Sequence, residues 1–167
     1  VGLLDETGCE LDLSKAEVRC SMDTSLRDNN RSLLLELREQ ATEIEFASFD
    51  TKPVVSFLRE FSAPVKLNYQ REKEETQFIA RNDNDGFVRW DAMQTLWLAA
   101  FDDPMLEEAP CEVVQETAIE ALKAENAEQK LLRANMLSVP TELYLLEQLS
   151  DIDLDRTLNQ RDGLLRK

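Results

Sequence analysis

The 167-residue chain contains no histidine and carries a formal net charge of −15. The missing histidine excludes an imidazole general base, a Ser-His or Cys-His nucleophile pair, and the most common zinc ligand. The excess of acidic residues disfavours nucleic-acid phosphates and anionic membrane surfaces as partners. Hydrophobic residues make up 43% of the chain, which is enough for a packed core in one or two domains.

The N-terminal part of the chain predicts short β-strands. An apolar run at 1–4, a turn signal at 5–8 and alternating polarity at 9–13 together predict a hairpin. Residues 14–31 are polar, and we predict a long loop there with one short strand around 17–20.

Residues 32–49 are rich in Leu and Glu, yet their apolar side chains alternate with period two. This pattern predicts two strands with a bend near residues 39–42. Pro53 then precedes Val54 and Val55, and Pro64 precedes the run 65–67. Proline in such runs favours edge strands or strand starts and excludes a helix interior.

From Glu72 onward the apolar pattern becomes helical. Side chains spaced by three and four predict one face of a long helix, formed by Phe87, Trp90, Met93, Gln94, Trp97 and Phe101. Asp85 suits the N-cap of this helix, and the sequence at 102–104 suits its end. Trp90 and Trp97 are therefore expected to be core residues, although a stacking platform for a ligand is the alternative.

Further helices are predicted at 112–125, 127–137 and 141–149. A last helix is marked by Leu154, Leu158 and Leu165. Short connections between five to seven helices are typical of antiparallel helical hairpins or an α-solenoid. The predicted fold class is α+β: a partial antiparallel β-sandwich over 1–69, followed by an all-α, solenoid-like region over 70–167.

The three cysteines, Cys9, Cys20 and Cys111, lack metal-binding spacing. A Cys9–Cys20 disulfide is geometrically possible, but we expect free thiols in a reducing cytoplasm. No apolar run approaches the length of a membrane span, and no signal peptide is visible. The chain begins at Val1 without Met, which suggests either processing or an excerpt from the interior of a longer protein.

Three groups of residues resemble functional sites, but each has a simpler structural interpretation. The run 82–86 resembles a calcium loop, but Arg81 and Ala92 would occupy the first and twelfth positions, where carboxylates matter most. We therefore predict a helix–helix turn there. Close acidic pairs, Asp102/Asp103 and Glu107/Glu108, are expected by chance among 34 acidic residues. A weak basic cluster is too sparse for a nucleic-acid patch; it consists of Lys15, Arg19, Arg27 and Arg31.

Four segments carry a resemblance to a known family. Residues 52–69 resemble the run "P-V-P-S-L-L-R-E-F-S-A-P-V-K-L-x-Y" of bacterial aminopeptidase N, a zinc-dependent family that includes alanyl aminopeptidase. Residues 82–94 resemble its "D-x-F-x-R-W-(D/E)-A-x-Q" helix, and residues 138–148 its "L-P-S-E-x-Y-L-A-E-Q" helix. Upstream, residues 2–8 are similar to its "G-L-x-D-x-x-G" hairpin.

The resemblance implies a parent zinc metallopeptidase that removes N-terminal residues from peptides. Its zinc ligands, the two histidines of H-E-x-x-H and a downstream glutamate, and its G-A-M-E-N motif are absent here. We therefore expect no catalytic, cofactor-binding or metal-binding residue in this chain, and zinc only in the parent. The resemblance further implies that the β-region is a spacer between the catalytic domain and a helical cap over the active site.

The expected partners are the remaining domains of the parent and, through them, its peptide substrates. Self-association through an exposed strand edge is also expected if earlier strands are missing. The alternative is a free-standing acidic adaptor that presents a helical surface to basic partners. Reading the gene on either side distinguishes the two, because only the first hypothesis requires an upstream H-E-x-x-H.

Overall fold

The structure, a computed structural model, describes residues 1–47, 49, 51–102, 108–123, 127–148 and 153–164. The chain folds into two compact units. The first unit comprises Val1–Tyr69 together with Asn82–Val88, and the second comprises Gln70–Arg81 together with Arg89–Lys167. Within the described residues, no helix has the length and apolar character needed to cross a bilayer.

The first unit is built from short antiparallel strands: β1 Gly2–Leu4, β2 Glu17–Cys20, β3 Thr24–Arg27, β4 Ser32–Leu35, β5 Ile44–Ala47 and β6 Val54–Ser56. Four of them form one sheet in the order β3-β4-β1-β6, and β2 pairs with β5 in a second sheet. Strand β6 therefore lies at an edge of the larger sheet, as expected of a strand that follows Pro53.

The core of the first unit joins residues of both sheets. Leu3, Leu13 and Leu33 are buried, and half-buried residues such as Val18 and Phe46 pack against them. Leu3 stands opposite Val55 in the larger sheet, while Val18 stands opposite Phe46 in the smaller one. This antiparallel β arrangement, followed by helices, confirms the predicted fold class.

Most of the strand predictions are confirmed. The strand at 17–20 is β2, and the stretch 32–49 contains β4 and β5 on either side of a bend. The N-terminal hairpin turns at Gly8, whose φ of +87° favours glycine, but its second arm is reduced to a single bridge between Leu4 and Glu10.

Two local predictions were wrong. Strand β3 lies in the stretch predicted as loop, and all four of its residues are exposed, so no apolar alternation marks it. The predicted strand at 65–67 does not form; residues 62–72 contain no helix or strand. Apolar and polar side chains therefore alternate at 65–67 as they would in a strand, but no described strand pairs with these residues.

The second region is helical: α1 Lys73–Asn82, α2 Gly86–Asp102, α3 Glu108–Lys123, α4 Ala127–Met136, α5 Glu142–Gln148 and α6 Leu154–Leu164. Each predicted helix is present, and α3 begins four residues earlier than predicted, with Pro110 in its first turn, where proline is tolerated. Three N-caps are formed by side-chain oxygens, of Asp85, Thr141 and Asp153. Parts of several predictions fall outside the described residues, at Ser48, Asp103, Pro104, Glu125, Leu149 and Leu165.

Helix α2 supplies much of the core of the helical unit. Within that unit its buried side chains are Ala92, Met93, Gln94, Leu96, Trp97, Ala100 and Phe101, while the buried Val88 of the same helix belongs to the first unit. Four members of the predicted face are buried, but Phe87 and Trp90 are only half-buried. The buried surface is therefore wider than one stripe and is centred nearer Met93 and Trp97. Trp97 is a core residue, as predicted, whereas Trp90 is only half-buried and does not belong to the fully buried core.

Removing the buried indole should destabilise the chain far more than removing the half-buried one. Trp97 is 3% exposed, so Trp97→Ala is expected to cost about 3–5 kcal/mol. Trp90→Ala should cost about 1 kcal/mol, a value typical of partly exposed positions. Urea unfolding followed by far-UV circular dichroism measures both.

Trp97→Phe provides a matched control, because Nε1 of Trp97 has no hydrogen-bond acceptor among the described residues. Phenylalanine keeps most of the ring and removes the unpaired donor, so the loss should be well below that of Trp97→Ala. A larger loss for Trp90→Ala than for Trp97→Ala would contradict this assignment of the core.

Candidate functional site

The guanidinium of Arg59 is buried in the first unit, with only 5% of the side chain exposed, and four hydrogen bonds surround it. Nε donates to Ser56 Oγ at 2.9 Å, and Nη2 donates to Asp83 Oδ1 at 2.9 Å. Nη1 donates to Glu10 Oε1 at 2.6 Å and to Ser32 Oγ at 3.4 Å. Two carboxylates and two hydroxyls therefore enclose one positive charge.

The sheet register brings the two serines together. Ser32 of β4 and Ser56 of β6 both stand opposite Gly2 of the central strand β1. A Cβ on Gly2 would lie 2.5 Å from both Cζ and Nε of Arg59, which is far inside van der Waals contact. Glycine at position 2 thus opens the space over β1 in which the guanidinium lies.

The backbone around Arg59 is held in an uncommon conformation. Leu58, Glu60 and Phe61 have φ values of 55°, 55° and 50°, in the left-handed region that non-glycine residues rarely adopt. Each such residue costs roughly 1–3 kcal/mol, so the surrounding contacts must enforce it. One of these contacts is the amide of Glu60, which donates to Asp85 Oδ2 at 2.7 Å.

The residues between α1 and α2 complete the site. Asp83 is fully buried, and its Oδ1 accepts from the Asp85 amide at 2.8 Å as well as from Arg59. Asp85 Oδ1 accepts from the Val88 amide at 2.9 Å and caps α2. The predicted helix–helix turn with a capping Asp85 is confirmed. The carboxylates that suggested a calcium loop are used here by a guanidinium and by backbone amides.

A second arginine helps to balance the charges. Arg31 Nη1 donates to the Glu10 carbonyl at 2.8 Å and lies 3.9 Å from Glu10 Oε2. Two arginines thus face two carboxylates, Glu10 and Asp83, which limits the penalty of removing these charges from water. Because four N–H donors of Arg59 are used by protein oxygens, we interpret this cluster as a structural anchor rather than as a ligand-binding site.

The carboxyl groups with lowered pKa lie in local turns. The Thr7 hydroxyl, followed by the Cys9 amide, donates to Asp5 and lowers the pKa of that carboxyl. The hydroxyl and amide of Ser14 lower the pKa of Asp12 in the same way. Both aspartates are held in the ionised form by the turns that they cap.

The second unit contains groups whose pKa is raised. Desolvation raises the pKa of Asp91, and the positive charge of Arg71 partly opposes this shift. Desolvation and then the charge of Asp91 raise the pKa of Tyr144. Packing of the helical unit accounts for both shifts without a substrate.

The other residues singled out in the sequence do not form a common site. Lys15 pairs with Asp12 and Arg19 with Glu17, each within the chain's own acidic surroundings. Arg27 lies on the exposed strand β3. Asp102 is exposed at the end of α2, Asp103 and Glu107 lie outside the described residues, and the side chain of Glu108 is not described. No disulfide joins the three cysteines; Cys9 is exposed, and Cys20 and Cys111 are partly buried.

The donor set does not fit zinc. The sequence has no histidine, and in the ranges that the structure covers no three His, Cys, Asp or Glu side chains are grouped to hold a metal ion. The described residues therefore supply no zinc site, and no catalytic step is assigned to them.

Sequence reasoning missed the role of Arg59. It placed this residue in a family-like segment without a function. The available signal was an arginine amid apolar neighbours, Phe57, Leu58 and Phe61, in a segment read as β-structure. Such a charge is buried only when it is paired.

Comparison with known proteins identifies both regions. A family model described as a domain of unknown function (DUF3458) with an Ig-like fold matches residues 1–70. A second model, described as the C-terminal domain of unknown function of the same name with ARM repeats, matches residues 73–167.

Among curated proteins, aminopeptidase N of Haemophilus influenzae is 27% identical over 129 residues, which are 73% of this chain and 15% of that protein. Aminopeptidase N of Caulobacter vibrioides is 32% identical over 123 residues, or 70% of this chain and 13% of that protein. Aminopeptidase N of Escherichia coli is 47% identical over 45 residues, covering 27% of this chain and 5% of that protein. This chain spans less than a fifth of the length of each.

A crystal structure of Legionella pneumophila aminopeptidase A in complex with aspartic acid has the same fold. The TM-score is 0.66 at 22% identity, and the match covers 98% of this chain and 17% of that one. Sequence and fold agree, and the chain belongs to the bacterial aminopeptidase N family, in whose Ig-like and ARM-repeat domains its two regions lie.

Proposed function

We propose that this chain is a non-catalytic structural part of a zinc-dependent aminopeptidase that removes N-terminal residues from peptides. The observation that carries the proposal is the Ig-like and ARM-repeat pair in one chain, matched to proteins more than five times longer. The sequence has no H-E-x-x-H, so the proposed zinc and catalytic residues belong to polypeptide outside this chain.

The role that we propose for the chain is to connect the catalytic part to a helical cap. The Arg59 cluster supports a connector, because it holds residues 82–88 to the sheet by ion pairs and hydrogen bonds rather than by a flexible linker. In sequence, residues 82–88 run from the last residue of α1 into the first turn of α2, so the chain enters the first unit twice. The role that we propose for this spacer is structural, with no part in the chemistry.

We also propose a cytoplasmic location for the parent enzyme. The absence of a disulfide between Cys9 and Cys20, the first of them exposed, supports this assignment, since a reducing compartment keeps thiols from pairing. The substrates of the parent would be peptides, which reach this chain only through the assembled enzyme.

The purified chain should have no peptidase activity of its own. With zinc supplied, we expect release of the anilide from an aminoacyl-anilide substrate to stay at background, because no metal-ligand group is present among the described residues. The longer polypeptide read from the gene should release it under the same conditions. Turnover by the pure chain, or an open reading frame that starts just before Val1, would contradict the proposal. The second result would favour the free-standing acidic adaptor.

Breaking the Arg59 cluster should unfold the first unit at much lower denaturant concentration. Arg59→Met leaves Glu10 and Asp83 without their main positive partner, and we expect a loss of about 3–5 kcal/mol in the free energy of unfolding. Gly2→Ala should cost about 1–3 kcal/mol, because the added methyl displaces the guanidinium. Chemical denaturation monitored by circular dichroism measures both.

Two variants serve as matched controls. Arg19→Met removes an exposed pair with Glu17 and should change stability by less than about 1 kcal/mol. Gly163→Ala adds a methyl with no atom within 4 Å, in a helix, and should be neutral or stabilising by up to about 1 kcal/mol. If Arg59→Met were no worse than Arg19→Met, the cluster would not be the anchor described here.

A further inference from the structure

Residues 61–69, called here the 61–69 segment, expose a run of large apolar side chains. Val65 is 57% exposed and Leu67 42%, and Phe61 and Tyr69 are exposed as well. Between residues 65 and 69, apolar and polar side chains alternate with period two, the pattern of a strand with one covered face. None of the described strands pairs with these residues. Residues 65–68 therefore have the sequence pattern of a packed strand, yet their side chains are exposed.

The 61–69 segment is nevertheless held in place at both ends. The ring of Phe61 packs against that of Phe87 with a centroid distance of 4.9 Å. The ring of Tyr69 packs edge-on against Phe57, also at 4.9 Å. Just upstream, Arg59 is fixed by its ion pairs. Because the ends are anchored, part of the entropy cost of ordering the segment for a partner is already met on folding.

We propose that the 61–69 segment is the surface through which this chain docks against the catalytic part of the same polypeptide. The inference rests on the proposed function. Clustered exposed apolar side chains mark interaction surfaces. The curated relatives extend far beyond the matched region, because this chain covers 15% and 13% of two of them. The occupant is therefore an apolar surface on the remainder of the parent enzyme.

The helical unit has exposed apolar positions of its own. Leu131 lies on α4, and Leu143 and Leu146 lie three residues apart on α5. In an ARM-type array, each repeat buries its apolar face against the next one, so further helices would cover these leucines. The 61–69 segment belongs to the β unit rather than to this array, and the catalytic part of the parent is the occupant that we propose for it.

Hydrogen exchange of the backbone amides at 65–69 tests this inference in both the chain and the parent enzyme read from the gene. In the isolated chain these amides should exchange quickly, and in the parent at least about tenfold more slowly. The double variant Val65→Ser/Leu67→Ser in the parent should restore fast exchange. The matched control Lys66→Ser/Asn68→Ser changes the alternate positions of the same segment and should leave exchange slow.

The melting temperature of the isolated chain shows that both double variants fold, since all four positions are exposed. Equally fast exchange in the chain and in the parent overturns the inference. Slow exchange in the isolated chain, together with a concentration-dependent dimer in light scattering, overturns it in favour of a second copy. If the gene encodes no upstream H-E-x-x-H, both the proposed function and this inference are wrong. If the parent has the motif but the amides of the 61–69 segment exchange as quickly as in the isolated chain, only this inference is wrong.

Discussion

The first unit depends on one buried positive charge. A guanidinium taken out of water is tolerated only where its donors meet acceptors, and Arg59 meets two carboxylates and two hydroxyls. Residues that are distant in sequence meet this requirement. Glycine at position 2 of the central strand leaves space for the guanidinium, and its hydrogen bonds are accepted by the serines opposite that glycine and by Asp83. The left-handed backbone at Leu58 and Glu60 is strain that such a network can support.

The same cluster explains why packing and sequence order divide the chain differently. A boundary near residue 70 separates strands from helices along the sequence, and the two family models meet there. In the packing, residues 82–88 belong to the first unit, because Asp83 and Asp85 bind Arg59 and the Glu60 amide. A domain cut at residue 70 would remove both aspartates and leave Arg59 with Glu10 as its carboxylate partner. A fragment that keeps the first unit intact therefore has to include residues 82–88 as well as the strands.

Elements with a clear periodic signal were predictable, and those that depend on distant residues were not. Strands β2, β4 and β5, the six helices and the Asp85 cap follow from local alternation, helical spacing and capping chemistry. Strand β3 was missed because all of its residues are exposed and it is paired by backbone alone. The Arg59 cluster was missed because its partners Glu10 and Asp83 lie 49 and 24 residues away, a distance that no local pattern reports. The strand predicted at 65–67 was wrong because alternation indicates a covered face, while a strand also needs a neighbour.

The short stretch of chain from Arg59 to Tyr69 has two kinds of contact surface, one charged and one apolar. At Arg59 the positive charge is neutralised within the first unit by Glu10 and Asp83. Downstream of Arg59, four large apolar side chains are exposed, which is unfavourable in water and becomes favourable on contact with another apolar surface: Phe61, Val65, Leu67 and Tyr69. Ion pairs fix where the segment lies, since they are directional, whereas apolar contacts supply affinity without strict geometry. A rigid anchor followed directly by an uncovered apolar run is therefore the arrangement expected of a connector within a larger enzyme.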